Sequence, residues 1–324
     1  MFRLALCLVI GVMLAACVPL STAAPEEVKD VTFESPLSNQ VEAHEEAEGA
    51  AHDHTHLDPS LATEEMSVAL VPSELVVGAN RFAVGLFDGE GQVVHDAEVH
   101  FHYYDLSNPD APVLESHAEA TRRQTPDKLT TIFAHERDFD RAGPWGVEVQ
   151  ATFGDGRAAI KRISFEVLAD SPSPIPGEVV PSVETAVSSD VGNDLSKLSS
   201  ALVPNPAFYE QSLVDAIASG KPTVLLFATP AFCQTRFCGP AYDLVSLLQL
   251  KYGSMVNFIH VEVYTGLPDP AANNWELAPA MTAFGLRTEP WLYLLDRSGV
   301  VVYRVEGLFT PQEIERHLPA LLGS

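Results

Sequence analysis

The stretch TVLLFATPAFCQTRFCGPAYDL, residues 223–244, decides how the C-terminal part of this chain folds. Residues 223–229 form a short, mostly apolar run, the pattern of a strand buried on both faces. Pro240 suits the first position of a helix, with Gly239 before it as the cap. Between strand and helix stand Cys233 and Cys238, five positions apart. A buried strand, a short loop carrying two thiols and a helix N-terminus is an arrangement that builds a redox dithiol.

Geometry constrains the pair. A disulfide needs Cα atoms about 4.4–6.8 Å apart, whereas five residues of regular α-helix rise about 7.5 Å. The loop Gln234-Thr235-Arg236-Phe237 is therefore expected to fold back. Cys238 is expected just outside the helix, where N–H groups and the dipole favour a thiolate. Arg236 would add positive charge beside either sulfur. As a staple, so small a loop contributes only about 2 kcal/mol, little for a domain with an ordinary core.

Around this stretch, residues 201–324 alternate helix and strand. A helix is expected over 210–219, stopping at Gly220. Another is expected over 240–252, with Leu244, Leu247 and Leu248 on its apolar face. Residues 256–264 read as an apolar strand, and 277–284 as helical. Residues 291–295 and 300–305 read as a hairpin around Asp296-Arg297-Ser298-Gly299. Thr310-Pro311-Gln312-Glu313 has the form of a capping box opening a last helix, which Pro319 should kink or end early.

This order resembles the thioredoxin-like superfamily over about 120 residues. The cysteine pair follows the first buried strand. Leu286-Arg287-Thr288-Glu289-Pro290 stands where that family places its cis-proline. The hairpin turn, a strand, Gly307 and a terminal helix match the family's ending. The resemblance implies a thiol–disulfide oxidoreductase with Cys233, Cys238 and Pro290 as catalytic residues and a protein thiol or disulfide as partner. Pro290 would leave the Glu289 backbone open to pair with an extended substrate.

The chain departs from the family pattern in three ways. Four residues rather than two separate the cysteines. Counted from the strand, Cys233 takes the nucleophile position, preceded by Phe232; yet Phe237-Cys238-Gly239-Pro240-Ala241 imitates the same run with alanine for the second cysteine. Residues 223–229 also carry no carboxylate, where thioredoxins have a buried aspartate. Two other functions stay open. Some thioredoxin-fold proteins hold copper through two cysteines and a distant histidine, which Cys233, Cys238 and His260 could imitate. Alternatively, the disulfide is structural and the protein a non-catalytic binder.

Upstream, residues 65–169 read as an all-β domain of about a hundred residues. Short alternating runs, such as Ala97-Glu98-Val99-His100-Phe101-His102-Tyr103 and Val147-Glu148-Val149-Gln150-Ala151, are separated by the turns Asp88-Gly89-Glu90-Gly91 and Gly154-Asp155-Gly156. The pattern fits an immunoglobulin-like sandwich, and resembles small exported sandwiches found beside copper-handling proteins. His95, His100 and His102 read as polar strand-face residues or a metal site. Residues 170–200, rich in proline and serine, read as an extended, semi-rigid linker.

The N-terminus is expected to export the chain. Arg3 precedes an apolar run ending Leu14-Ala15-Ala16-Cys17, too short for a typical membrane span. It resembles a bacterial lipoprotein processing site. That implies a signal peptide over 1–16, loss of Cys7, lipidation of Cys17, and an extracytoplasmic protein anchored by lipid at the cell surface or in the periplasm. The alternatives are an ordinary signal cut nearer Ala24 or a weak transmembrane segment. Residues 17–64 read as an acidic, disordered tether. There His44, His52, His54 and His56 lie among carboxylates and could hold copper or zinc loosely; no cofactor is required. With 44 acidic against 19 basic residues, the net charge of -25 argues against nucleic acid and anionic headgroups as direct partners.

Overall fold

A computed structural model describes residues 62, 64–233 and 237–323. The described chain is built mostly from β-sheet, in three four-stranded sheets. The first eight strands are β1 (Met66–Leu70), β2 (Gly78–Asp88), β3 (Ala97–Asp105), β4 (Val113–Glu119), β5 (Thr121–Gln124), β6 (Thr131–Phe139), β7 (Gly143–Phe153) and β8 (Ala158–Val167). They make two antiparallel sheets, ordered β1-β2-β6-β5 and β4-β3-β7-β8. Between them pack Phe82, Phe101, Tyr103, Phe133, Phe139 and Trp145, all fully buried. Each such side chain contributes about 1.5–3 kcal/mol by leaving water, so this core holds without a cross-link.

The sandwich strands depart from simple alternation. In β2, residues 82–86 are buried without a break. One face looks into the sandwich; Ala83, with Ile132 and Ala134 of β6, packs instead on Leu308 of the C-terminal unit. In β7, Glu148 and Gln150 are buried as well, bonded to each other and, through Glu148, to Arg162.

The C-terminal unit comprises α1 (Leu213–Ala218), β9 (Thr223–Ala228), α2 (Cys238–Tyr252), β10 (Asn257–Glu262), α3 (Pro279–Ala283), β11 (Trp291–Leu295), β12 (Val301–Glu306) and α4 (Pro311–Gly323). Its sheet is ordered β10-β9-β11-β12, with β9 and β10 parallel and the rest antiparallel. This strand–helix–strand unit, followed by a hairpin and a terminal helix, has the element order expected from the sequence of residues 201–324. All six residues of β9 are buried: Val224 and Leu226 face a cluster with α2 and α4, while Leu225 and Phe227 face one with α1 and α3. Among the described residues no helix is long and apolar enough to cross a membrane.

Several local expectations are revised. The first helix is shorter, residues 213–218, and Ser212 caps it by accepting from the Asp215 N–H. Helix α2 begins at Cys238, so Pro240 is its third residue and Gly239 is no cap. Its buried stripe is Cys238, Ala241, Tyr242, Val245 and Leu248, while Leu247 is exposed. The Thr310 hydroxyl does accept the Glu313 N–H at 3.3 Å, but the Glu313 carboxylate does not return to close a box; it meets Arg81 of the sandwich at 2.6 Å. Helix α4 runs through Pro319 to Gly323.

Residues 174–199 lie against the C-terminal sheet rather than spanning freely between the two units. Gly177 and Val180 donate to Val301 and Gly299, and Glu178 accepts from Val301. Val180 and Leu198 enter its two clusters.

Candidate functional site

The site forms where β9 ends. A turn follows the strand, closed by the Phe232 N–H donating to the Thr229 carbonyl at 3.2 Å. It sets Cys233 at a half-buried position. Helix α2 then starts at Cys238, and its 3.6-residue period places Cys238 on the stripe of Ala241, Val245 and Leu248, fully buried. Both cysteines are thiols. The Cys238 backbone N–H donates to Cys233 Sγ at 3.4 Å. One of the N–H groups left over at the helix start is thereby aimed at the more accessible sulfur, where it favours negative charge.

Cys238 is the opposite case. Burial pushes its thiol far above the ordinary range, and the neighbouring Cys233 and Glu289 push the same way, against a smaller lowering by the Thr229 backbone. The expectation that the helix N-terminus favours a thiolate at Cys238 is therefore corrected: the N–H points at its partner, and Cys238 is held neutral.

The peptide bond Glu289–Pro290 is cis, as the resemblance implies. Glu289 brings a carboxylate oxygen within 4.8 Å of both sulfurs. The Pro290 carbonyl accepts the Gly307 N–H at 2.9 Å, tying this loop to the end of β12. On the open side stand three aromatic rings. Trp275, 41% exposed, packs edge-on against Phe232 and Tyr264, with centroids at 5.7 and 5.2 Å. The Tyr264 hydroxyl is raised, first by burial and then by Glu289, Cys233 and Cys238.

Two further titratable residues lie on β10 behind the site. Glu262, at the end of β10, pairs in register with Ala228 of β9 and is buried. Burial raises its carboxyl, opposed by the Thr229 hydroxyl and Ser200. Strand β9 carries no carboxylate, but its neighbour supplies one behind Thr229, whose backbone faces Cys238. The one carboxylate in the mostly apolar run 256–264 is the signal for it. His260, in the same strand, is not a third ligand for the cysteines. Its Nε2–H donates to the Ala228 carbonyl at 3.0 Å, and its Nδ1 accepts the Tyr209 hydroxyl at 2.7 Å. Burial lowers its pKa to about 3, so it stays neutral with both nitrogens engaged.

In the sandwich, His95 bonds Thr131 and His100 bonds Glu98. His102 is buried, with its ring 6.0 Å from that of His117 on β4. Among the described residues, the set of three converging donor groups is Cys233, Cys238 and Glu289 rather than these histidines. Cys17, His44, His52, His54, His56 and Arg236 lie outside the described residues.

No protein-family model matches the chain, and no curated protein does. Solved structures similar to parts of it include a putative thiol:disulfide interchange protein DsbE from Chlorobium tepidum, 17% identical over 47% of this chain and 100% of that one, with a TM-score of 0.33. A putative protein disulfide isomerase from Bacteroides thetaiotaomicron is 15% identical over 47% of this chain and 92% of its own, with a TM-score of 0.33. CopC from Methylosinus trichosporium OB3b is 15% identical over 32% of this chain and 97% of its own, with a TM-score of 0.21.

Proposed function

We propose that the protein is a thiol–disulfide oxidoreductase working through Cys233 and Cys238. The observation that carries this reading is the asymmetry of the pair: Cys233 is reachable and receives the N–H of Cys238 at 3.4 Å, while Cys238 is buried beneath it. That asymmetry supports Cys233 as the attacking sulfur and Cys238 as the resolving one.

In the first step the Cys233 thiolate attacks one sulfur of a partner disulfide. A new S–S bond forms, the partner's S–S bond breaks, and the leaving thiolate takes up a proton. Next Cys238 loses its proton and attacks Cys233 Sγ, releasing the second partner thiol. The partner gains two electrons and two protons, and the pair becomes a disulfide. Run backward, the same steps oxidise a partner dithiol. We assign Glu262 the role of receiving the Cys238 proton; its support is that Glu262 is buried beside Thr229, whose backbone faces Cys238. Phe232, Tyr264 and Trp275 form an apolar rim on which a partner polypeptide can rest beside Cys233.

The remaining parts of the reading rest on sequence. The middle domain is immunoglobulin-like, and the chain is exported and held to a membrane by lipid on Cys17, with the acidic tether between. A Cys17→Ser variant that still fractionates with membranes would sink the anchoring.

For the chemistry, Cys233→Ser should abolish turnover of a disulfide substrate. Cys238→Ser should instead accumulate a mixed disulfide at Cys233, visible by mass spectrometry of the intact protein. Turnover by the Cys233→Ser variant, or a Cys233–Cys238 bridge that thiol reductants cannot open in the native protein, overturns the proposal.

A further inference from the structure

We propose that the reduced Cys233–Cys238 pair and the Glu289 carboxylate form a three-ligand site for a zinc-class divalent cation, with its fourth position open toward solvent on the Cys233 side. The inference rests on the same two sulfurs as the exchange reaction, but not on that reaction taking place.

Geometry comes first. The two sulfurs and a Glu289 oxygen all lie within 4.8 Å of one another. A tetrahedral ion with Zn–S bonds of about 2.3 Å brings two sulfurs to about 3.8 Å, so the two sulfurs need to close by no more than about 1 Å. Three separate elements deliver them: the turn after β9, the first residue of α2, and the loop before β11. Each is tied down, by the Thr229–Phe232 turn, by the Cys238 N–H to Cys233, and by the Gly307 N–H to the Pro290 carbonyl.

The donor chemistry selects the ion. Two thiolates exclude hard cations such as magnesium and calcium, which take oxygen ligands. Copper(I) is satisfied by two soft sulfurs and gains little from a carboxylate. Zinc takes sulfur and carboxylate oxygen together, and open sites on it keep three protein ligands and one water. The burial pattern matches: Cys238 is buried, and Cys233 and Glu289 are half-buried.

Electrostatics agree. Two thiolates and a carboxylate held within 4.8 Å of one another repel each other. A dication reverses this by taking the place of the two thiol protons, which binding releases. No sulfur is oxidised in the process. A loaded pair cannot attack a disulfide or become one, so metal and oxidation exclude each other.

The test uses the full chain with Cys7→Ser and Cys17→Ser, reduced with a phosphine and handled without oxygen. Cobalt(II) is the probe, because only thiolate ligands give its sulfur-to-metal charge-transfer absorption; His52, His54 and His56 cannot produce it. The expected result is saturation at one equivalent, displacement by zinc, and affinity at least 10-fold lower in Glu289→Gln. Glu289→Asp, which keeps the carboxylate, should fall between and serves if the glutamine variant does not fold. Disulfide turnover by metal-free protein, read in the same preparation, tells a dead dithiol from a failed metal site. The proposal is overturned if the absorption does not develop in a protein whose dithiol is active. Unchanged affinity in the Glu289 variants, or a preference for copper(I) that ignores them, overturns it equally.

Discussion

Glu262 and His260 lie two residues apart on β10, and burial acts on them in opposite directions. The Glu262 carboxyl is raised by burial. A raised folded-state value gives stability that is full below the ordinary glutamate range and is lost as pH rises through the folded value. Glu262→Gln cannot ionise, so at neutral pH it should be the more stable protein in urea unfolding. Under the proposed exchange reaction it should also turn over more slowly: with no carboxylate to take the Cys238 proton, release from the mixed disulfide should slow by about 10-fold or more. Its rate should lack the rise with pH expected of the wild type. A variant that is less stable at neutral pH and as fast as the wild type would contradict both halves. His260 is the converse. Its pKa is lowered to about 3 from 6.5 by burial, so the stability it contributes is complete above 6.5 and declines as pH falls toward 3. The decline, at one proton per molecule, is on the order of 4 kcal/mol. His260→Gln should flatten the acid side of a plot of urea midpoint against pH; an unchanged slope between 6.5 and 3 would refute the assignment.

At the scale of elements, the junction between the end of β12 and the start of α2 matters most. Gly307 has φ +78°, and a Cβ there would stand 2.8 Å from Val71 Cγ1 and 3.7 Å from the Phe237 ring. Gly307→Ala combines a left-handed backbone, costing about 1–2 kcal/mol, with a contact that Val71 must yield to. The expected loss is about 2–3 kcal/mol in chemical unfolding, and a loss under 0.5 kcal/mol would show that the sandwich does not press on this turn. The same junction shows what the sequence could and could not reveal. Strand β9 was legible because its apolar run is continuous, and α2 because its period is 3.6. The first turn of α2 was misjudged: Pro240 and Gly239 suggest a start, yet Phe237 is fixed by Val71 and Leu308, remote in sequence, and the helix begins at Cys238. The two-residue shift turns Cys238 inward and so decides which sulfur a partner can reach. Glu313 carries a similar lesson. Its local pattern spells a cap, but a guanidinium more than two hundred residues away takes its carboxylate. Local rules locate elements; they do not register contacts made across a domain boundary.

For the whole molecule, the sandwich and the C-terminal unit are joined by charge buried between them. Arg81 meets Glu313 Oε1 at 2.6 Å and donates to the Leu308 carbonyl at 2.6 Å, and Arg123 approaches Glu313 Oε2 at 3.4 Å. Arg304 pairs with Glu74 at 2.7 Å, and Glu306 accepts the Ser73 N–H at 2.7 Å. The Glu313 side chain is 1% exposed, so taking its charge away leaves guanidinium groups buried and uncompensated. That costs about 3–5 kcal/mol, whereas replacing both partners by apolar groups costs far less. Glu313→Gln should therefore lower the unfolding temperature and split one calorimetric transition into two, and Arg81→Met with Glu313→Leu should recover part of the loss. The consequence reaches the thiols, because the sandwich residues Val71 and Ala83 share a cluster with Phe237, the residue before Cys238. Loosening the boundary frees that ring, and with it the first turn of α2. Alkylation of Cys238 should then speed up in Glu313→Gln by about 10-fold, the factor that 1.4 kcal/mol of easier opening supplies, while Cys233, half-buried already, should change little. Equal acceleration at both sulfurs would mean that the C-terminal unit is merely unfolding. No acceleration at either would mean that the sandwich is a passenger, and that α2 is set by its own packing on β9.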